Sequence, residues 1–173
     1  YCKEMANRYG NRLILDFAQA FFAPKLEGIN TFYSPRKFVG IPDGGIAYAN
    51  APISLELPTD NSYDKCAHLL KRHDLTPMDG YNDFKESSHK IALSPLSSMS
   101  TLTQKMLSSL DYEAIKQRRL TNFTLLHTHL AASNELQVPS LDSFSCPMVY
   151  PYYTKDPEMR KRLISNQVFV ATY

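Results

Sequence analysis

Two residues of opposite charge, Asp16 and Lys37, carry the strongest chemical signal in this 173-residue sequence. Asp16 ends an apolar run that begins at Leu13, and Lys37 lies downstream in a short loop between Pro35 and Gly40. Pyridoxal phosphate (PLP) needs a lysine that forms a Schiff base and a carboxylate that keeps its pyridine nitrogen protonated. The order and surroundings of the two residues therefore predict a PLP site, with Lys37 as the catalytic residue and Asp16 as a cofactor ligand.

Neighbouring residues fit this prediction, although each also has an ordinary structural interpretation. Gln19 can hydrogen-bond the oxygen substituent of the cofactor ring, which makes it a third predicted cofactor ligand. Arg36 suits a lysine that must be neutral part of the time, because a nearby positive charge favours the neutral amine. In the simpler interpretation Lys37 is a solvated loop lysine, Asp16 caps a turn and Gln19 is a surface amide.

The composition is that of an ordinary globular protein and argues against several other functions. A formal charge of +2 without a basic stripe argues against nucleic-acid binding, and no apolar run approaches the ~20 residues that span a bilayer. Three cysteines without Cys-x-x-Cys spacing argue against a disulfide framework or a zinc site and favour a cytoplasmic location. No metal site is expected at His127 and His129, because residues two positions apart do not share a helix face.

The apolar pattern predicts a mixed α/β chain. Strands are expected at residues 13–16, 30–33 and 46–49, and the first, which lacks alternation, is typical of a parallel strand buried on both faces. Helices are expected at residues 1–9, 63–72 and 81–90, then at 98–130 with a break near Asp111, and at 156–165. Further strands at residues 136–138, 147–150 and 168–171 would complete a small α+β region.

Taken together, these residues resemble the DegT/DnrJ/EryC1/StrS family, fold-type I PLP enzymes that aminate keto-sugars attached to nucleotides. The segment Asp16–Gln19 is similar to the family's Asp-x-Ala-Gln strand end. The segment Ser34–Lys37, followed by Asp43–Gly45, is similar to its lysine loop and the turn after it. Arg118–Phe123 resembles part of the family's long helix, and Arg160–Val170 resembles its closing helix and strand.

The resemblance implies the second half of a fold-type I enzyme. Residues 1–50 would be the end of the large PLP-binding α/β domain, residues 51–97 a connecting region, and residues 98–173 a long helix with a small α+β C-terminal domain. The implied activity is that of a PLP-dependent aminotransferase, with glutamate or a similar amino acid as donor and a keto-sugar nucleotide as acceptor. The full-length protein would be a homodimer. We expect the 173-residue chain to be a piece of it and inactive alone.

Two departures from the family pattern leave other functions open. Phe32 stands where the family has a phosphate-binding Ser, for which Thr31 or Ser34 can substitute, and Ser94–Ser97 stands where an Asn-x-Arg motif is expected. One alternative is a PLP-fold subunit that has lost catalysis and serves a regulatory or scaffolding role. The other is a fold-type I aminotransferase that acts on an amino acid.

Overall fold

A computed structural model describes residues 1–52, 54–141 and 146–172. The chain is mixed α/β and divides into two compact units, Tyr1–Ala114 and Ile115–Tyr173. Within the described ranges no helix combines the length and apolar character needed to cross a membrane. The family-based boundaries near residues 50 and 97 stay predictions.

A three-stranded sheet lies in the first unit. Its strands are β1 (Ile14–Phe17), β2 (Asn30–Tyr33) and β3 (Ile46–Tyr48), in the order β1-β2-β3. Strand β2 pairs in parallel with β1 and antiparallel with β3, and Phe32 lies opposite both Asp16 and Ala47. The three strands predicted near the candidate site are therefore confirmed, each to within one residue.

Only one face of this sheet is buried. Leu15, Thr31 and Tyr33 are 8%, 2% and 6% exposed, whereas Ile14 and Phe32 on the opposite face are 65% and 40% exposed. The prediction that β1 is buried on both faces is therefore wrong. An apolar run permits burial on both sides but does not supply the second covering layer.

Aromatic rings pack beneath the buried face and hold the loop that follows β2. The Phe21 ring lies 6.0 Å from Phe38 and 6.1 Å from Tyr112, and the Phe22 ring lies 5.9 Å from Phe38. Such pairs contribute about 0.5–1.5 kcal/mol each beyond the area that they bury. The loop after β2 is thus anchored by its own Phe38.

Four helices complete the first unit: α1 (Cys2–Tyr9), α2 (Ala67–Asp74), α3 (Tyr81–Leu93) and α4 (Thr101–Ser108). Helices α2 and α3 approach closely at Gly80, where an added Cβ would lie 2.9 Å from the His68 carbonyl oxygen. Helix α4 has a side-chain cap, because Ser100 Oγ accepts a hydrogen bond from Thr103 N at 3.1 Å.

Helices α5 (Tyr112–Leu130) and α6 (Met159–Ser165) follow. The predicted break near Asp111 is confirmed, because α4 ends at Ser108 and the Asp111 carboxylate accepts a hydrogen bond from Ala114 N at 2.9 Å. The strands predicted at residues 136–138, 147–150 and 168–171 are wrong, since all of these residues are described and none is in a strand. Local β-propensity cannot form a strand without a partner edge.

Candidate functional site

The two predicted charged residues lie toward the same end of the parallel strand pair. Asp16 is the third residue of β1, and the turn Pro35–Lys37 follows β2 directly after Ser34. Because β1 and β2 are parallel, their carboxyl ends lie at one edge of the sheet, which is where open α/β sheets bind ligands. Both Asp16 and Lys37 are exposed.

Asp16 uses one of its carboxylate oxygens locally. Its Oδ1 accepts a hydrogen bond from Ala18 N at 2.8 Å, which closes the turn after β1. No ion pair or further hydrogen bond joins the Asp16 carboxylate to any residue in the described ranges, so Oδ2 has no partner there. Gln19 follows in the same turn and is exposed.

Lys37 is presented by a loop that is otherwise mostly buried. The buried residues between β2 and the next turn are Pro35, Phe38, Val39, Ile41, Pro42 and Asp43. Phe38 N and Val39 N donate to the Pro35 carbonyl at 2.8 and 3.0 Å, which fixes the turn that carries Lys37. The Lys37 amine has no hydrogen-bond or ion-pair partner in the part of the chain that the structure describes.

Arg36, next to Lys37, is half-buried and contacts helix α3. Its Nη2 donates to Ser88 Oγ on α3 at 3.5 Å. Burial lowers the pKa of Arg36, and the negative charge of Asp43 partly offsets that effect. Arg36 therefore connects the lysine loop to helix α3.

The buried imidazole of His68 lies close to this contact. It is 3% exposed and packs edge-on against Phe84, with the ring centroids 5.6 Å apart. Burial, followed by the positive charges of Arg36 and Arg72, lowers the pKa of His68. A neutral ring at this position avoids adding a buried positive charge beside Arg36.

A buried polar cluster, which we call the Asp43 cluster, follows the lysine loop; it comprises Asp43, Ser62, Lys65, Ser100 and Thr103. Asp43 Oδ2 accepts from Ser62 Oγ at 2.6 Å and Lys65 Nζ at 3.0 Å, and Oδ1 accepts from Thr103 Oγ1 at 2.6 Å. The hydroxyl oxygens of Ser62 and Ser100 are 2.5 Å apart. The cluster thereby joins the turn after the lysine loop to α4 and to the segment before α2.

The electrostatics of the Asp43 cluster favour full ionisation. Burial works against the charge on Asp43, but hydrogen bonds from Ser62, Thr103 and Lys65 outweigh it and lower the pKa of Asp43. Burial likewise opposes the charge on Lys65, yet hydrogen bonds to Asp60 and Asp43 raise the pKa of Lys65. Both groups are therefore charged over a wide range of pH.

Sequence reasoning identified Asp43 only as part of a turn and missed the cluster. Its partners Ser62 and Thr103 lie 19 and 60 positions away, so no local motif connects them. One local signal was present in the two glycines after Asp43. Gly44 has φ +98°, and an added Cβ would lie 3.0 Å from Met99 Cε, which indicates close contact with the start of α4.

The second unit contains a cleft of about 150 Å³ beside α5. Buried Phe123 packs against Tyr150 with the ring centroids 5.1 Å apart, and Arg119 Nη1 donates to the Met148 carbonyl at 3.3 Å. His127 Nδ1 lies 3.2 Å from the Tyr150 hydroxyl. Arg119 is thus half-buried and bonded within its own unit.

Comparison of the chain with protein-family models, with curated proteins and with solved structures found no match. Among the described residues no group of three or more His, Cys, Asp or Glu side chains is arranged to hold a metal ion. The PLP site at Asp16, Gln19 and Lys37 therefore stays a prediction. All three of these residues are exposed.

Proposed function

We propose that this chain supplies the lysine and the carboxylate of a PLP-dependent aminotransferase that acts on a keto-sugar nucleotide. The observation that carries the proposal is the presentation of Lys37. A loop that is buried at most of its positions leaves this amine exposed, just beyond the strand that is parallel to the one bearing Asp16. A lysine whose only role is solubility does not need so rigid a support.

The chemistry of these residues fits PLP. Lys37 would hold the cofactor covalently, Asp16 would accept a hydrogen bond from its protonated ring nitrogen, and Gln19 would contact its ring oxygen. When bound, PLP supplies an electron sink that stabilises negative charge on the substrate carbon beside the amino nitrogen. Asp16 suits its role because Oδ2 has no partner among the described residues and Oδ1 is fixed by Ala18.

Lys37 would also move the proton. Once the amino donor has displaced it, Lys37 Nζ would take a proton from the donor α-carbon and return a proton during transfer to the acceptor. This role requires an amine that is neutral in part of the cycle. A carboxylate partner would oppose that state, and within the described residues Lys37 has none.

Phosphate binding is the next requirement of the site. The Thr31 hydroxyl donates to the Ile29 carbonyl at 3.1 Å and is 2% exposed, so it does not reach a ligand. Ser34 is half-buried in the loop that leads to Lys37 and is the remaining hydroxyl next to Phe32 and Lys37. We assign the phosphate contact of this chain to Ser34.

The acceptor class and the assembly rest on the family resemblance. A parallel strand pair followed by an antiparallel neighbour, with the lysine between the second and third strands, supports a fold-type I arrangement. We therefore retain a keto-sugar nucleotide as acceptor, an amino acid such as glutamate as donor, and a homodimer as the active form of the full-length protein.

The test uses the full-length protein. After incubation with PLP, borohydride reduction makes the lysine–cofactor bond permanent, and peptide mass spectrometry locates it. We expect the label on Lys37, its loss in Lys37→Ala, and its retention in Lys105→Ala, which removes an exposed lysine of α4. Label that persists in Lys37→Ala would refute the assignment.

A second candidate function is favoured by Phe32, which is 40% exposed beside Asp16 and offers no hydroxyl for phosphate. In this alternative the full-length protein binds PLP as a regulatory or scaffolding subunit without catalysis. Mixing the PLP-loaded protein with glutamate separates the two functions. The aminotransferase converts the bound cofactor to its amine form, whereas the inactive subunit leaves its spectrum unchanged.

A further inference from the structure

A groove in the first unit, separate from the residues Asp16, Gln19 and Lys37, has no role in the proposed chemistry. It has a volume of about 600 Å³ and is lined by side chains from residues 60–65 and from residues 89–95, at the end of α3 and just beyond it. Small-molecule sites usually measure about 300–1,000 Å³. The groove is therefore large enough for a ligand of several rings or for a short chain.

The charged residues of the groove cancel one another. Lys65 Nζ lies 2.7 Å from Asp60 Oδ2 and 3.0 Å from Asp43 Oδ2. Lys90 Nζ lies 3.3 Å from Asp64 Oδ2 and 3.2 Å from Glu86 Oε1. Two lysines and two aspartates leave no net formal charge on the lining. Because each ammonium group already pairs with two carboxylates, neither lysine is free to attract an anion such as a phosphate.

Three other polar side chains of the lining are available to a ligand. The Asn61 amide, the Tyr63 hydroxyl and the His89 imidazole all line the groove, and none has a hydrogen-bond partner among the described residues. Together they offer both donors and acceptors. A ligand with several hydroxyl groups can satisfy such a mixed set.

The groove also has an exposed apolar surface. The Tyr63 side chain is 80% exposed and Leu93 is 72% exposed, and Pro95 lies beside them on the lining. The face of an aromatic ring carries negative potential, which attracts the weakly positive C–H groups on the face of a pyranose ring. An open aromatic ring beside amide and imidazole groups is therefore suited to a sugar.

We propose that this groove binds a neutral saccharide. The class follows from an exposed aromatic platform, unpaired amide, phenol and imidazole groups, and a lining without net charge. The site is separate from the lysine chemistry and does not rest on it, because none of its lining residues belongs to the Asp16, Gln19 and Lys37 set. A bound saccharide would cover Tyr63 and Leu93.

The first experiment titrates the full chain with methyl β-glucoside, N-acetylglucosamine and cellobiose, followed by NMR. We expect saturable binding of at least one sugar with a dissociation constant on the order of millimolar, as for a ligand of about a dozen atoms on an open surface. Glucose 6-phosphate tests the charge argument and should bind no more tightly than the neutral sugars. Tighter binding of the phosphate, or no saturable binding of any neutral sugar, would overturn the proposal.

Variants then locate the binding. Tyr63→Ala should weaken it at least tenfold and Asn61→Ala about threefold, whereas Tyr81→Ala should leave it unchanged because that exposed tyrosine of α3 does not line the groove. Thermal unfolding of each variant checks that the fold is kept. Lys37→Ala should bind the sugars normally, so failure here and failure of the aminotransferase proposal are distinguishable. Equal affinity of wild type and Tyr63→Ala for the sugars would contradict the proposal.

Discussion

Lys65 and Lys37 lie in the same unit but in opposite environments. Lys65 is 5% exposed and forms ion pairs with Asp43 and Asp60 at 3.0 and 2.7 Å. Lys37 is exposed, and within the described residues its amine has no hydrogen-bond or ion-pair partner. The same side chain is thus used once as a fixed part of the interior and once as an available group.

The difference shows how burial decides what a lysine can do. A buried ammonium must be paired and hydrogen-bonded, because the loss of its water is otherwise very costly. Pairing raises the pKa of Lys65 and keeps it charged, which excludes it from chemistry that needs a neutral amine. Lys37 needs no ion pair because its side chain is exposed. The buried residues of its loop, rather than its own charge, hold its backbone in place.

The test with the largest expected effect removes one carboxylate from the Asp43 cluster and one from the sheet edge that carries Lys37. Asp43→Ala removes one carboxylate partner of the Lys65 ammonium and the acceptor of two hydroxyl groups. We therefore expect a loss of about 3–5 kcal/mol in the free energy of unfolding. Asp16→Ala removes one exposed turn hydrogen bond and should cost less than about 1 kcal/mol. Urea unfolding of both variants measures the two values. Similar losses would contradict the division into an interior cluster and an available edge.

The two lysines provide the second test. Lys65→Met keeps the side-chain volume but leaves Asp43 and Asp60 without their cation, and we expect a loss of about 2–4 kcal/mol. Lys37→Met changes an exposed residue and should stay within about 0.5 kcal/mol of the wild type. A stability change at position 37 as large as that at 65 would mean that Lys37 has a structural role.

The pH dependence sharpens the comparison further. The pKa of Asp43 is lower in the folded state than in the unfolded chain, so its contribution is fully present above the ordinary value near 3.8 and is lost as the pH falls through the folded pKa. The difference in unfolding free energy between wild type and Asp43→Asn should therefore be constant above about pH 5 and shrink below about pH 4. Chemical denaturation from pH 2 to 7 checks this, and two parallel curves would contradict it.

Elements whose signal is local were predicted well from the sequence. Strands β1 to β3 are short segments rich in β-branched and aromatic residues. The break before α5 coincides with Asp111, whose carboxylate caps the new helix. The lysine loop was recognisable because Pro35 and Gly40 delimit it. In each case the residues that determine the structure are neighbours in the chain.

Features that depend on distant partners were not predictable in this way. The Asp43 cluster joins residues 60 positions apart, and the apolar runs after residue 134 look like strands but have no edge to pair with among the described residues. Whether Asp16 is a turn carboxylate or a ligand also depended on geometry. The structure confirms the turn hydrogen bond to Ala18 N, and the ligand role of Asp16 stays a prediction.

Two glycines with positive φ provide the smallest test, because they separate backbone strain from packing in the two regions. Gly28 precedes β2 at φ +76° and has nothing within 4 Å of an added Cβ, whereas Gly44 follows Asp43 at φ +98° and would place its Cβ 3.0 Å from Met99 Cε and 3.1 Å from Thr103 Cγ2. Gly28→Ala should cost about 1 kcal/mol, the usual penalty of a left-handed conformation for alanine. Gly44→Ala should cost about 1 kcal/mol more, since the methyl group pushes on the helix that carries Thr103. Equal losses in urea unfolding would mean that α4 shifts away from the turn at little cost in free energy. The Asp43 cluster would then not hold the lysine loop in a fixed position.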